Sequence, residues 1–214
     1  LWRPLADRDA KVAVAALNPH WGSLLGASGD LRKEAIDTAS ALGIRALEPR
    51  LREMALDTSL DTPTRIVALE SLVSLKDKEA GTLGRKLTTD SDARVRAAGW
   101  RAIAKVEGKN AQADLIKIAR EASPVERQAA LASLAKSGSK EVEALLLELL
   151  EASANDKLPK VMDLELQEAA MGVNSPTVAK ALASLGEKNK ALALEGFEPC
   201  LEGGDAEKGR QLFL

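Results

Sequence analysis

The feature that most limits what this chain can fold into is a repeat. Four arginines, Arg32, Arg65, Arg96 and Arg127, recur at spacings of 33, 31 and 31 residues. Each lies near the start of a segment of one design: "DLRKEAIDTASAL" from Asp30, "PTRIVALESLVSL" from Pro63, "ARVRAAGWRAIAKV" from Ala93 and "VERQAALASLAKS" from Val125. Three residues after each arginine stands a small residue: Ala35, Ala68, Gly99 and Ala130. Seven residues after it stands an apolar one: Ala39, Leu72, Ile103 and Leu134. Offsets of three and seven share one face of an α-helix, so each segment presents the same stripe. A short unit repeated at this period cannot bury its stripe alone and must stack on its neighbours.

Punctuation supports the same division. Thr62-Pro63 and Ser123-Pro124 read as an N-cap followed by proline in the first turn, and Ser91-Asp92 as an N-cap followed by an acid. Ser28-Gly29-Asp30 is a looser version. A turn marked by Gly43, Gly108 or Gly138 then leads to a second helix in three of the units. The second helices carry Leu47, Leu51 and Met54; Ala80, Leu83 and Leu87; Ala111, Leu115 and Ile118; and Val142, Leu145, Leu146 and Leu149. Pro49 belongs in a first helical turn, where its missing N–H costs little. Degenerate pairs flank these units, Asp9 to Leu17 with Pro19 to Leu25, and Pro159 to Ala170 with Pro176 to Leu185. The expectation is an all-α fold, an α-α superhelix of about six helical hairpins over residues 1–188. Composition agrees: apolar residues make up 45% but aromatics only 2%, so Ala and Leu, both strong helix formers, carry the core.

Charge and reactive residues narrow the function. The net charge is −2 with both signs interspersed, which argues against a nucleic-acid or anionic-membrane footprint. No run approaches the roughly 18 apolar residues of a spanning helix. The single cysteine, Cys200, permits no internal disulfide and no multi-cysteine metal site. The single histidine, His20, has no second ligand beside it and reads as a surface residue near a helix start. Trp100 occupies the frame position of Leu69 and Leu131, which makes it a core or inter-repeat residue rather than a ligand platform. Trp21 opens the second helix of a terminal pair and reads as a cover for the open core end. Glu141, Glu143, Glu148 and Glu151 read as a solvated helix face. The arginine column reads as a register device, each arginine pairing with an acid of its own or the adjacent repeat.

The period, the paired helices and the arginine in the first turn, best seen in "SDARVRAAGWRAI", resemble HEAT repeats of the short bacterial type. The resemblance implies architecture and says little about activity. A linker is expected over 189–204, broken by Gly196, Pro199, Gly203 and Gly204. The last stretch, "GGDAEKGRQLFL", resembles the first helix of class I c-type cytochromes, in which Gly209 and Phe213 would meet the last helix. The order of these parts resembles large bacterial redox proteins that join a dehydrogenase-type β-propeller, a HEAT-like region and a C-terminal cytochrome c domain. On that resemblance the chain, which opens at Leu1 without an initiator Met, is a piece of a periplasmic or cell-envelope protein. Residues 205–214 are then a truncated cytochrome helix. Haem c is expected only in the parent, and no cofactor or metal in this piece. The function expected is a non-catalytic, monomeric scaffold or spacer contacting a protein or neighbouring domains of the same chain, with no nucleic acid and no membrane insertion. The alternative is a HEAT-like enzyme or nucleic-acid-binding module, of DNA glycosylase or bilin lyase type.

Overall fold

The computed structural model describes residues 10–194, with side chains as far as residue 187. Cys200, Gly209 and Phe213, and with them the cytochrome-like stretch, lie outside the described residues. All the regular structure described is helical: α1 Ala10–Leu17, α2 Trp21–Gly26, α3 Asp30–Ala41, α4 Glu48–Leu56, α5 Thr62–Ser74, α6 Ala80–Leu87, α7 Ala93–Glu107, α8 Gln112–Glu121, α9 Pro124–Leu134, α10 Lys140–Ala154, α11 Asp163–Gly172 and α12 Pro176–Leu194. Short 3₁₀ turns precede α2, α4, α8 and α11. The fold is an all-α helical repeat, and the element order gives six pairs among the described residues. α12 continues to Leu194, past residue 188, because its run from Glu187 meets no Gly or Pro before Gly196.

The described residues form two compact units, divided between Leu134 and Ala135. In the first, α3, α5, α7 and α9 pack one against the next. The second helices α4, α6 and α8 lie chiefly against the first helix of the following repeat, α5, α7 and α9 respectively. Burial follows the sequence columns. Ala35, Ala68 and Ala130 are buried, as are Ala39, Leu72, Ile103 and Leu134, and Gly99 is buried with them. From the second helices, Leu51, Met54, Ala80, Leu83, Leu87 and Leu115 are buried, Ala111 is buried in the turn before α8, and Leu47 and Ile118 are half-buried. Each fully buried Leu or Ile is worth about 1.5–3 kcal/mol, which outweighs the propensity of helices this short. In the second unit α10, α11 and α12 pack on one another. Val142, Leu145, Leu146 and Leu149 of α10 are buried, as are Met162, Leu166 and Val178.

Two caps sit one residue from where the sequence places them. Asp61, not Thr62, caps α5, its carboxylate accepting from the Thr64 N–H at 2.9 Å. Asp92, not Ser91, caps α7, accepting from the Arg94 N–H at 2.8 Å. A carboxylate also complements the positive end of the helix, so it takes the cap where an acid and a hydroxyl adjoin. Pro63 and Pro49 both lie in first turns. After α3 the chain turns through Gly43 at φ 68°, with Gly43 N–H to Ser40 O and Ile44 N–H to Ala39 O. The same pair of hydrogen bonds closes α5 at Lys76, φ 57°, with Lys76 N–H to Val73 O and Asp77 N–H to Leu72 O. Left-handed backbone recruits glycine most readily, but Lys76 adopts it where the following Asp77 is tied down.

Gly99 breaks its column for a steric reason. A Cβ there would lie 2.7 Å from Gly84 O of α6 and 3.2 Å from Thr88 N. Gly84 faces back: a Cβ on it would lie 3.1 Å from Gly99 O. Backbone therefore meets backbone where α6 crosses α7, closer than the alanines of the other columns would allow. Gly99→Ala is expected to lower unfolding free energy by about 1–3 kcal/mol in urea, despite the better helix propensity of alanine. An unchanged or higher midpoint would show that the crossing is not tight.

Candidate functional site

The polar side chains of the first unit are organised around the arginine column. Arg65 is 6% exposed; its Nε donates to Ala55 O, at the end of α4, at 3.2 Å, and its guanidinium forks onto the Asp90 carboxylate. Asp90 belongs to the turn that opens the next repeat. Its carbonyl accepts from Arg96 Nη1 at 2.8 Å, and Ser91 O accepts from the same nitrogen at 3.0 Å. Arg96 then forks forward onto Glu126 of α9, at 3.0 Å and 2.9 Å. The result is a chain of contacts, Arg65 to Asp90 to Arg96 to Glu126, spanning three repeats. Arg65 satisfies a carbonyl left open at the end of a second helix, Arg96 satisfies two carbonyls of the turn after one, and each holds an acid from the repeat that follows.

The outer members of the column differ. Arg127 donates from Nε to Ala119 O at 2.9 Å, and burial pulls its guanidinium below the ordinary arginine range. Arg32 is half-buried, and its Nε is shielded without a hydrogen-bond partner. Only the two central arginines are thus brought together with carboxylates in the forked contact. A second set of links joins the same repeats. Arg52 of α4 forks onto Asp77, whose carboxylate is fully buried and also receives the Glu79 N–H at 2.8 Å. Thr62 donates its hydroxyl to Asp92 across the repeat boundary at 2.6 Å. Arg85 forks onto Glu107 and reaches Asp114 at 3.2 Å.

These carboxylates are held in their charged forms. The Arg65 hydrogen bond lowers the Asp90 pKa against the opposing effect of burial. At Asp77 and Glu126 burial pushes upward. It is overcome at Asp77 by Arg52 and the Glu79 N–H, and at Glu126 by Arg96 and the Ser123 hydroxyl. Hydrogen bonds from Arg94 and Thr62 hold Asp92 far below the usual carboxylate range.

Trp100 is half-buried, whereas its column mates Leu69 and Leu131 are fully packed, and its Nε1 is shielded without a partner. Trp21 opens α2 and is 4% exposed. His20 is exposed at the turn before α2. Glu141, Glu148 and Glu151 are exposed and Glu143 is half-buried. Among the described residues no group of three or more His, Cys, Asp or Glu is placed to hold a metal ion, and no helix is long and apolar enough to cross a membrane.

The sequence columns did not single out one further feature. The C-terminal halves of α3, α5 and α7 enclose an open groove of about 580 Å³. Five residues after the column arginines it is lined by Asp37, Glu70 and Arg101; nine residues after them, by Ala41, Ser74 and Lys105. Buried Ser71 and Ala102 also line it. Arg101 pairs with Glu70 at 3.0 Å across the α5–α7 seam. Among the described residues Asp37 and Lys105 have no ion-pair partner. The signal was present in the sequence as a column that changes sign from acid to base, but only packing shows that these positions share a concavity.

Comparison with protein-family models and with curated proteins gives no match for the chain.

The forked contacts carry a stability prediction. Arg65→Ala strands the Asp90 carboxylate at a largely buried site and is expected to cost about 3–5 kcal/mol. Arg101→Ala, at a half-exposed pair, is expected to cost less than about 1 kcal/mol. Urea unfolding of both variants measures the difference. Because Asp77, Asp90 and Glu126 have lowered pKa values in the folded state, their contribution is complete above the ordinary carboxylate range. It should be lost as the pH falls below about 4. Asp90→Asn should flatten that acid limb of the Tm profile.

Proposed function

We propose that this chain is a helical-repeat scaffold of HEAT-like type, whose work is to hold other protein domains or a protein partner at fixed positions. The observation that carries this reading is the run of forked contacts from Arg65 to Glu126. Buried polar groups in the first unit are used to lock one repeat onto the next, so register is fixed and the outer faces are left for contact. Those faces carry both charge signs, as on α4 with Arg50 and Glu53 and on α8 with Lys117 and Glu121. Mixed charge suits selective, moderately tight protein contacts, in which complementarity sets orientation more than affinity. For domains of one chain a spacer of this kind raises their local concentration for each other without a tight interface.

A photo-cross-linking residue placed at exposed Lys86 or Lys117, in cells producing the natural polypeptide, tests this. Adducts to one protein, or to another part of the same polypeptide, are expected. Adducts to nucleic acid alone, or none from either position, would overturn the reading.

The proposal extends to the parent. "GGDAEKGRQLFL" supports placing the chain before a cytochrome c domain in an exported bacterial redox protein. A Cys-x-x-Cys-His sequence within a few tens of residues after Leu214 is then expected in the gene. Its absence would remove the redox parent and leave the scaffold.

A further inference from the structure

We infer that the groove across α3, α5 and α7 is a docking site for an extended segment of a partner protein that carries a basic and an acidic side chain about six residues apart. This rests on the scaffold reading and names the surface and the chemistry through which it acts.

The groove is a two-by-three grid of side chains. One row runs Asp37, Glu70, Arg101; the other runs Ala41, Ser74, Lys105. Glu70 and Arg101 neutralise each other within the first row. What remains is a carboxylate at one corner and an ammonium at the opposite corner, both on exposed positions. The floor between them is small and largely uncharged, with Ser71 and Ala102 buried and Val73 half-buried. Most of the lining side chains are short, Ser40, Ala41, Ser71, Ser74 and Ala102 among them, so a main chain with short side chains fits along it.

Spacing selects the partner's charge pattern. Two interhelical distances of about 9 Å and one helical turn of about 5.4 Å set the corners about 19 Å apart. An extended chain advances about 3.3 Å per residue, so about six residues cover the diagonal. Residues six apart in an extended chain point to the same side, so both charges can face the groove together. Like charges at both ends would leave one of them against its own sign. The site therefore discriminates by repulsion as well as attraction.

The test uses the full chain, isotope-labelled, and three acetylated, amidated nonapeptides of Ser, Thr and Ala. One carries Arg and Glu six residues apart, one carries them three apart, and one carries Glu at both positions of the first. Amide shifts on adding the first peptide are expected to concentrate in residues 37–41, 70–74 and 101–105. The other two peptides should bind about three- to fivefold more weakly, as expected for exposed charge pairs. Asp37→Asn and Lys105→Gln should each weaken the first peptide by a similar factor. Both positions are exposed, so the variants' own amide spectra should otherwise match the parent. Shifts spread over the whole surface, or equal binding of all three peptides to the unsubstituted chain, would overturn the proposal. Cross-links from Lys86 or Lys117 alongside such a result would leave the scaffold standing and remove the groove.

Discussion

Everything in the first unit depends on each repeat being completed by the next. A second helix such as α6 has eight residues and is too short to be stable in water. Its apolar face, Ala80, Leu83 and Leu87, is buried chiefly against α7 of the following repeat, not only against its own partner α5. No hairpin is complete without its neighbour. The structure is consequently propagated through nearest-neighbour interfaces, and a fault at one of them is felt on both sides.

Apolar burial is non-directional, so it does not by itself fix how one helix slides over another. The forked arginine contacts do. Arg65 and Arg96 each reach backward to the open carbonyls at the end of a second helix or its turn, and forward to a carboxylate of the next repeat. A shift of one residue along a helix would separate donors from acceptors at both ends and leave charges in low dielectric. Buried ion pairs add little net stability over well-packed apolar groups, but they penalise wrong registers heavily. Asp90 is central because its carboxylate serves one arginine and its carbonyl the next.

Where two helices must come unusually close, side-chain volume decides. The α6–α7 crossing uses Gly84 and Gly99, with Gly81 lying under Val106. The column of small residues that reads as uniform in sequence is therefore not uniform in space. Alanine suffices at three of its positions, and at the fourth only a hydrogen clears the carbonyl of the facing helix.

The helical class, the pairing of helices and the face each first helix buries are legible in the residue pattern, because a 3.6-residue period and its caps are local properties. The columns Ala35, Ala68, Gly99, Ala130 and Ala39, Leu72, Ile103, Leu134 are all buried. The arginines stand out in the same pattern. It could not say that Arg65 and Arg96 would gain Asp90 and Glu126 while Arg32 would hold a shielded Nε without a partner, since those partners lie 25 and 30 residues away. Nor could it show that Asp37 and Lys105 occupy opposite corners of one groove. Which glycine is sterically required and which charges meet are set by distances between helices. Those distances exist only once the repeats have stacked.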